Sequence, residues 1–267
     1  MAKFRDHGWR NPATTATLTV LVRSTLYRKD LAWIHHAGFG DFARSAGPGV
    51  LHILRRAGMK RGKLVDLGCG SGIWAAMAEH AGFRVIGVDF SPAMLAMARR
   101  ESPKSRFVQA SLGQFSFPPC EVVTSLGEPF NYGAGSQASR LRPLFARITQ
   151  ALSPGGRFIF DVLLHDGQPM NYRKWHAGQD WAVLTEVSED RKQRKLTRRM
   201  ITFREVNGRI RRGEECHALE CFPRVSVERA LRAAGFKFRS SRRYGKWLLP
   251  ARRLVFIATK SPGTSQT

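Results

Sequence analysis

Residues 63–72 constrain this chain more than any other stretch. A short apolar run, Lys63–Leu67, passes straight into Gly68-Cys69-Gly70-Ser71-Gly72, and a helical pattern begins at Ile73. Three glycines at alternate positions let the backbone turn sharply and approach a ligand closely. The helix that follows offers free N–H groups and a positive dipole end to an anionic group. Beyond it, apolar runs and helical stretches alternate. Strands are predicted at Lys63–Leu67, Arg84–Val88, Arg106–Ala110, Glu121–Ser125 and Arg157–Leu163, with helices at Ile73–Ala81, Pro92–Arg100 and Ser136–Leu152. That rhythm predicts a parallel sheet covered on both faces, an α/β doubly wound domain.

Two nucleotide chemistries compete for the glycine loop. A nicotinamide fingerprint needs GxGxxG facing a pyrophosphate, but position 73 is Ile and the third glycine falls one residue early. Asp66 would repel a pyrophosphate and would suit a ligand bearing an ammonium group. The second strand ends in Val88-Asp89, 21 residues after Gly68, where a carboxylate can accept both ribose hydroxyls. Phe90 beside it offers an apolar face for an adenine, and Ser91 is placed to cap the helix starting at Pro92.

These residues resemble the class I S-adenosylmethionine-dependent methyltransferase family over residues 48–260. Val65 to Gly72 looks like the family's cofactor loop, and Val85-Ile86-Gly87-Val88-Asp89-Phe90-Ser91 like its second strand with the ribose-binding acid. Leu152-Ser153-Pro154-Gly155-Gly156-Arg157 is similar to the turn entering its fifth strand, and Gly235-Phe236 precedes the last hairpin as in that family. The resemblance implies a seven-stranded, mostly parallel sheet of order 3-2-1-4-5-7-6 with an antiparallel seventh strand. It implies S-adenosyl-L-methionine as cofactor and no metal. It points to Asp66, Gly68, Cys69, Gly70, Gly72, Asp89, Phe90, Met94, Ser111, Leu126 and Tyr27 as cofactor contacts. Ser111 stands where the family often has an acid for the adenine amine.

The same resemblance divides the chain. Residues 1–47 are expected to form an arm and cap helices, 48–165 the cofactor-binding core, 166–222 an antiparallel β insertion acting as substrate lid, and 223–267 a helix and hairpin that complete the core. Asn207-Gly208, between extended segments, is a strong hairpin signal. Gly47-Pro48-Gly49 is read as a break between two N-terminal helices, with Pro48 at a helix start. Glu128, Asn131 and His165, near carboxyl ends of the central strands, are the candidate catalytic residues. Tyr132, Trp175, Arg199, Arg204 and Trp247 are the candidate substrate contacts.

Charge keeps a second function open. The chain carries 44 Lys+Arg against 20 Asp+Glu, a net +24 concentrated toward both ends, and such a field attracts polyanions. An RNA or DNA methyltransferase is therefore the alternative to a small-molecule enzyme, with a non-catalytic cofactor-binding protein third. Against the nucleic-acid reading, the fourth strand runs into Leu126-Gly127-Glu128-Pro129-Phe130 and lacks the Asn/Asp-Pro-Pro-aromatic signature of amino-methylating nucleic-acid enzymes. Cys120 precedes that strand, out of place for a pyrimidine C5 nucleophile. Four cysteines without CxxC pairing predict reduced thiols and a cytoplasmic protein, although the Arg- and Thr-rich opening faintly resembles a transit peptide. No apolar run is long enough for a membrane span. A monomer or homodimer is expected.

Overall fold

The computed structural model describes residues 26–132 and 137–261. The arm expected over residues 1–15, the apolar stretch Ala16–Val22 and the first residue of the helix predicted from Ser136 lie outside the described residues.

Two helices, α1 (Lys29–Phe39) and α2 (Asp41–Arg56), precede β1 (Gly62–Leu67). The alternation then runs α3 (Ile73–His80), β2 (Phe83–Asp89), α4 (Pro92–Glu101), β3 (Arg106–Gln109), β4 (Cys120–Ser125), α5 (Gln137–Ala151) and β5 (Leu152–Leu163). Four strands follow as an antiparallel meander: β6 (Tyr172–Ala177), β7 (Trp181–Asp190), β8 (Lys195–Val206) and β9 (Arg209–Glu220). The chain closes with α6 (Arg224–Ala233), β10 (Phe236–Ser241), the two-residue pair β11 (Arg243–Tyr244) and β12 (Trp247–Leu248), and β13 (Arg253–Lys260).

The main sheet has the order β3-β2-β1-β4-β5-β13-β10. Only β13 runs against its neighbours, pairing antiparallel with both β5 and β10, so the order and the reversed strand expected from the resemblance are both present. Burial on two faces explains the unbroken apolar runs. In β5, Phe158, Phe160 and Val162 enter one core with Phe145 of α5 and Phe256 of β13. Ile159, between them, enters the other with Trp74, Leu54 and Tyr244. Phe158 and Phe160 stack with ring centroids 4.4 Å apart.

Several boundaries differ from the sequence reading: β4 takes in Cys120, β5 begins at Leu152 within the segment read as its entering turn, and the N-terminal helix break moves. Gly47-Pro48-Gly49 lies inside a continuous α2, and the break falls at Gly40. The two glycines serve packing. A Cβ on Gly47 would meet the Met77 side chain at 2.6 Å, and one on Gly49 would collide with the Tyr244 carbonyl. The insertion is also richer than one hairpin. Asn207 and Gly208 do make the tight turn, with φ of 52° and 71°, but two further strands, β6 and β7, extend it.

Candidate active site

A cavity of about 1240 Å³ lies at the carboxyl ends of the central strands, between the glycine loop below and the inserted sheet above. Its floor follows from the first two crossovers. Gly68 and Gly70 take positive φ of 70° and 53°, and a Cβ on Gly70 would meet nothing within 4 Å, so the backbone there is bare toward the cavity. Gly72 has another duty: it caps α3 at φ 84° and lets that helix approach Ala98 of α4.

Asp66 and Asp89 are buried beside this loop. Burial pushes the Asp66 carboxyl up to about 7, although Thr124 donates a 2.8 Å hydrogen bond to it. Asp89 is likewise raised by burial. Its two oxygens accept the N–H groups of Gly70 and Ser91, each at 2.9 Å, and each oxygen keeps a lone pair for a further donor. Both carboxylates are thus short of positive charge or donors that a ligand would bring. Ser91 caps α4 through Met94 N–H, as its position suggested. Cys69, Phe90, Met94, Ser111 and Leu126 line the same cavity.

The roof comes from α1 and the inserted sheet. Tyr27, just before α1, has φ 54°. Glu215 of β9 holds it there by accepting the N–H groups of Tyr27 and Arg28 at 2.6 and 2.9 Å. The Tyr27 and Tyr132 hydroxyls are hydrogen-bonded at 2.7 Å. Burial raises both phenols, so both stay protonated at neutral pH. Beside them Glu128, also at positive φ (69°), sits between two guanidinium groups, Arg198 at 3.0 Å and Arg253 at 2.8 Å. Burial alone would raise Glu128, but the two arginines outweigh it and hold the carboxyl below its ordinary value. Non-glycine residues in this backbone region carry strain that packing must hold in place.

The remaining candidates fall elsewhere. Asn131 is fully buried and committed to scaffolding: its amide donates to the Leu163 and Glu220 carbonyls and accepts Leu163 N–H. His165 lies away from the cavity, 4.0 Å from Glu189. Strand periodicity turns Trp175 and Arg199 outward. Trp175 is 73% exposed, and Arg199 pairs with Glu214. Arg204 ties the sheet to α1, pairing with Asp30 and stacking over Trp33 at 3.8 Å. Trp247 packs edge-on against Phe42, which itself faces the cavity. Conversely, Arg198, Arg253 and Lys174, which the sequence does not mark out, line the cavity, as does His35 of α1. The alternation along β8 is the signal that separates Arg198 from Arg199.

The sheet order, with its one reversed strand, and the loop beneath the cavity define the fold of class I S-adenosylmethionine-dependent methyltransferases. Residues 64–156 match a family model described as Methyltransferase domain. The chain is 34% identical over 132 residues to Ribosomal protein L11 methyltransferase of Thermus thermophilus, 48% of each chain. It is 27% identical over 209 residues to dTDP-3-amino-3,6-dideoxy-alpha-D-glucopyranose N,N-dimethyltransferase of Streptomyces fradiae, covering 75% of this chain and 80% of that one. Among solved structures, the S-adenosylmethionine-bound amino pentose methyltransferase of calicheamicin biosynthesis from Micromonospora echinaspora superposes with a TM-score of 0.69. That match has 21% identity and covers 85% of this chain and 97% of the other. The chain spans about half the length of the Thermus thermophilus relative and of a putative methyltransferase of a Geobacillus strain. Among the described residues no helix is long and apolar enough to cross a membrane, and no cluster of metal-ligating side chains is present.

Proposed function

We propose that this protein is an S-adenosylmethionine-dependent methyltransferase acting by in-line displacement on a small molecule enclosed beneath the inserted sheet. The observation that carries this reading is the continuity of the cavity, from Asp66, Gly70 and Asp89 on its floor to Tyr132, Met200 and Thr185 on its roof. Named sugar methyltransferases among the similar proteins support a small acceptor. When bound, S-adenosylmethionine supplies a methyl group on a sulfonium, already activated toward nucleophiles.

The chain's own residues then have three tasks. Asp66 is suited to an ammonium group and Asp89 to ribose hydroxyls, while Ser111 can hydrogen-bond an adenine amine and Phe90 and Met94 give an apolar wall. The Tyr27 and Tyr132 hydroxyls, held protonated, orient an acceptor atom by hydrogen bonding, and alignment of this kind supplies much of the rate in a displacement. Glu128, kept ionised by its two arginines, fixes Arg198, whose Nη1 donates to the Tyr132 hydroxyl at 3.2 Å. His35 faces the cavity with its imidazole neutral, lowered to about 4 by burial and then by Arg198.

The test is transfer of a labelled methyl group to a panel of small amines, hydroxylated sugars and carboxylic acids, with total RNA in parallel. Transfer to a small molecule is expected, with kcat about tenfold lower in Tyr132→Phe and S-adenosylhomocysteine affinity unchanged. Transfer to RNA alone would overturn the small-molecule reading.

A further inference from the structure

The cavity face of the inserted sheet is ordered by register. Lys174, Thr185, Met200 and Glu215 stand opposite one another across β6 to β9, and Tyr172, Val187, Arg198 and His217 form the next row on the same face. Lys174 and Arg198 are the cations of these two rows. Their strands are separated by β7, about 10 Å across the sheet, a gap that two long side chains can close around a small group.

The two cations differ in their partners. Arg198 is paired with Glu128, and Glu128 also takes Arg253, which reaches back to Asp161 at 3.6 Å. That chain of two carboxylates and two guanidinium groups is balanced when both acids are ionised. Lys174 has no carboxylate partner among the described residues. Outward-facing cations of the same sheet do: Arg173 pairs with Glu186 at 2.7 Å and Arg199 with Glu214 at 2.7 Å. Lys174, exposed at the cavity's edge, thus adds one positive charge to the cavity lining; its ammonium lies over the Tyr172 ring, 5.4 Å from the centroid.

The other titratable groups agree. Burial first, and Arg198 second, lowers both Lys174 and His35, while Glu128 acts on His35 in the opposite sense. The floor carboxylates Asp66 and Asp89 belong to the cofactor end and do not supply one.

Building on the methyltransferase reading, we propose that Lys174 and Arg198, with the Tyr27 and Tyr132 hydroxyls, form a subsite for an anionic group of the acceptor, a carboxylate or a phosphate. The N–H donors of Arg198 left over from Tyr132 and Glu128, and the ammonium of Lys174 two strands away on the same face, supply further donors and a point charge. The acceptor atom would then lie between this subsite and the glycine loop.

The experiment is titration calorimetry of the full chain with tricarballylate and, separately, with pyrophosphate, at about 0.15 M salt, with and without saturating S-adenosylhomocysteine. Lys174→Met is compared with Lys192→Met, which removes the same charge from the β7–β8 turn. Binding of one of the two anions, weakened about tenfold by Lys174→Met and unchanged in Lys192→Met, is the expected result. Preference for tricarballylate would assign a carboxylate, and preference for pyrophosphate a phosphate. Equal weakening in both variants, or no binding of either anion, would overturn the subsite. The arm without S-adenosylhomocysteine is read on its own, so a failure of cofactor binding, which would remove the methyltransferase reading, is distinguishable from a failure of the subsite.

Discussion

Glu128 and Arg198 meet at 3.0 Å although 70 residues separate them in the chain. One follows β4 of the main sheet and the other lies in β8 of the inserted sheet, so their contact closes the roof of the cavity onto its floor. With Glu128 buried and Arg198 19% exposed at its side chain, the pair is shielded from solvent.

Removing that carboxylate should be costly. Glu128→Gln leaves two arginines without their shared counter-ion, a loss of about 3 kcal/mol at pH 7 for a buried pair. The folded carboxyl titrates below its ordinary 4.5. Its contribution is therefore fully present above that value and is lost as pH falls through the lower, folded one. Urea unfolding at pH 7 and at successively lower pH should show a large difference between variant and parent at pH 7 that shrinks as the pH falls below 4.5. A difference that does not change with pH would contradict the assignment.

Asp66 carries the opposite sign. Burial raises it from 3.8 to about 7, so ionising it costs the folded state, and that cost grows between those two values and is complete above the upper one. Asp66→Asn keeps an oxygen to accept the Thr124 hydroxyl. It should be more stable than the parent at pH 8, on the order of 2 kcal/mol, with no gain near pH 4. It should also bind S-adenosylhomocysteine about tenfold more weakly or worse, because the ammonium loses its counter-charge. Thermal unfolding at the two pH values, beside one binding titration, checks both parts.

Gly49→Ala tests the packing of α2 on the segment after β11. The new methyl would strike the Tyr244 carbonyl, backbone that cannot swing aside, and overpacking of this kind costs about 1–3 kcal/mol. Tyr244 donates to Asp161 at 2.9 Å, so the displacement also reaches the carboxylate behind Arg253. A lower unfolding midpoint is expected; an unchanged one would mean the helix slides freely over this loop.

The floor of the site was legible because its signals are local. A strand, three glycines, a helix and a carboxylate at the end of the next strand lie within 27 residues, from Lys63 to Asp89, and each is set by backbone geometry that nearby residues dictate. The roof was not. Arg198 and Arg199 are neighbours of the same type, and which one turns inward depends on the register of β8 against β7 and β9, a long-range property. Asn131 has the chemistry of a site residue, yet the backbone groups it satisfies come from β5 and β9, far away in sequence. Pro48 between two glycines has the composition of a break, whereas tertiary contact with Met77 and Tyr244 requires small residues there and keeps the helix whole.

Asp89 and the glycine loop are proposed to bind S-adenosylmethionine. Titration calorimetry with S-adenosylmethionine, S-adenosylhomocysteine and NAD, on the parent chain and on Asp89→Ala, tests it most directly. Both sulfur ligands should bind with a dissociation constant on the order of micromolar, NAD should not bind, and Asp89→Ala should lose at least about tenfold in affinity. Binding of NAD in preference, or no binding of either sulfur ligand by folded, ligand-free protein, would contradict it.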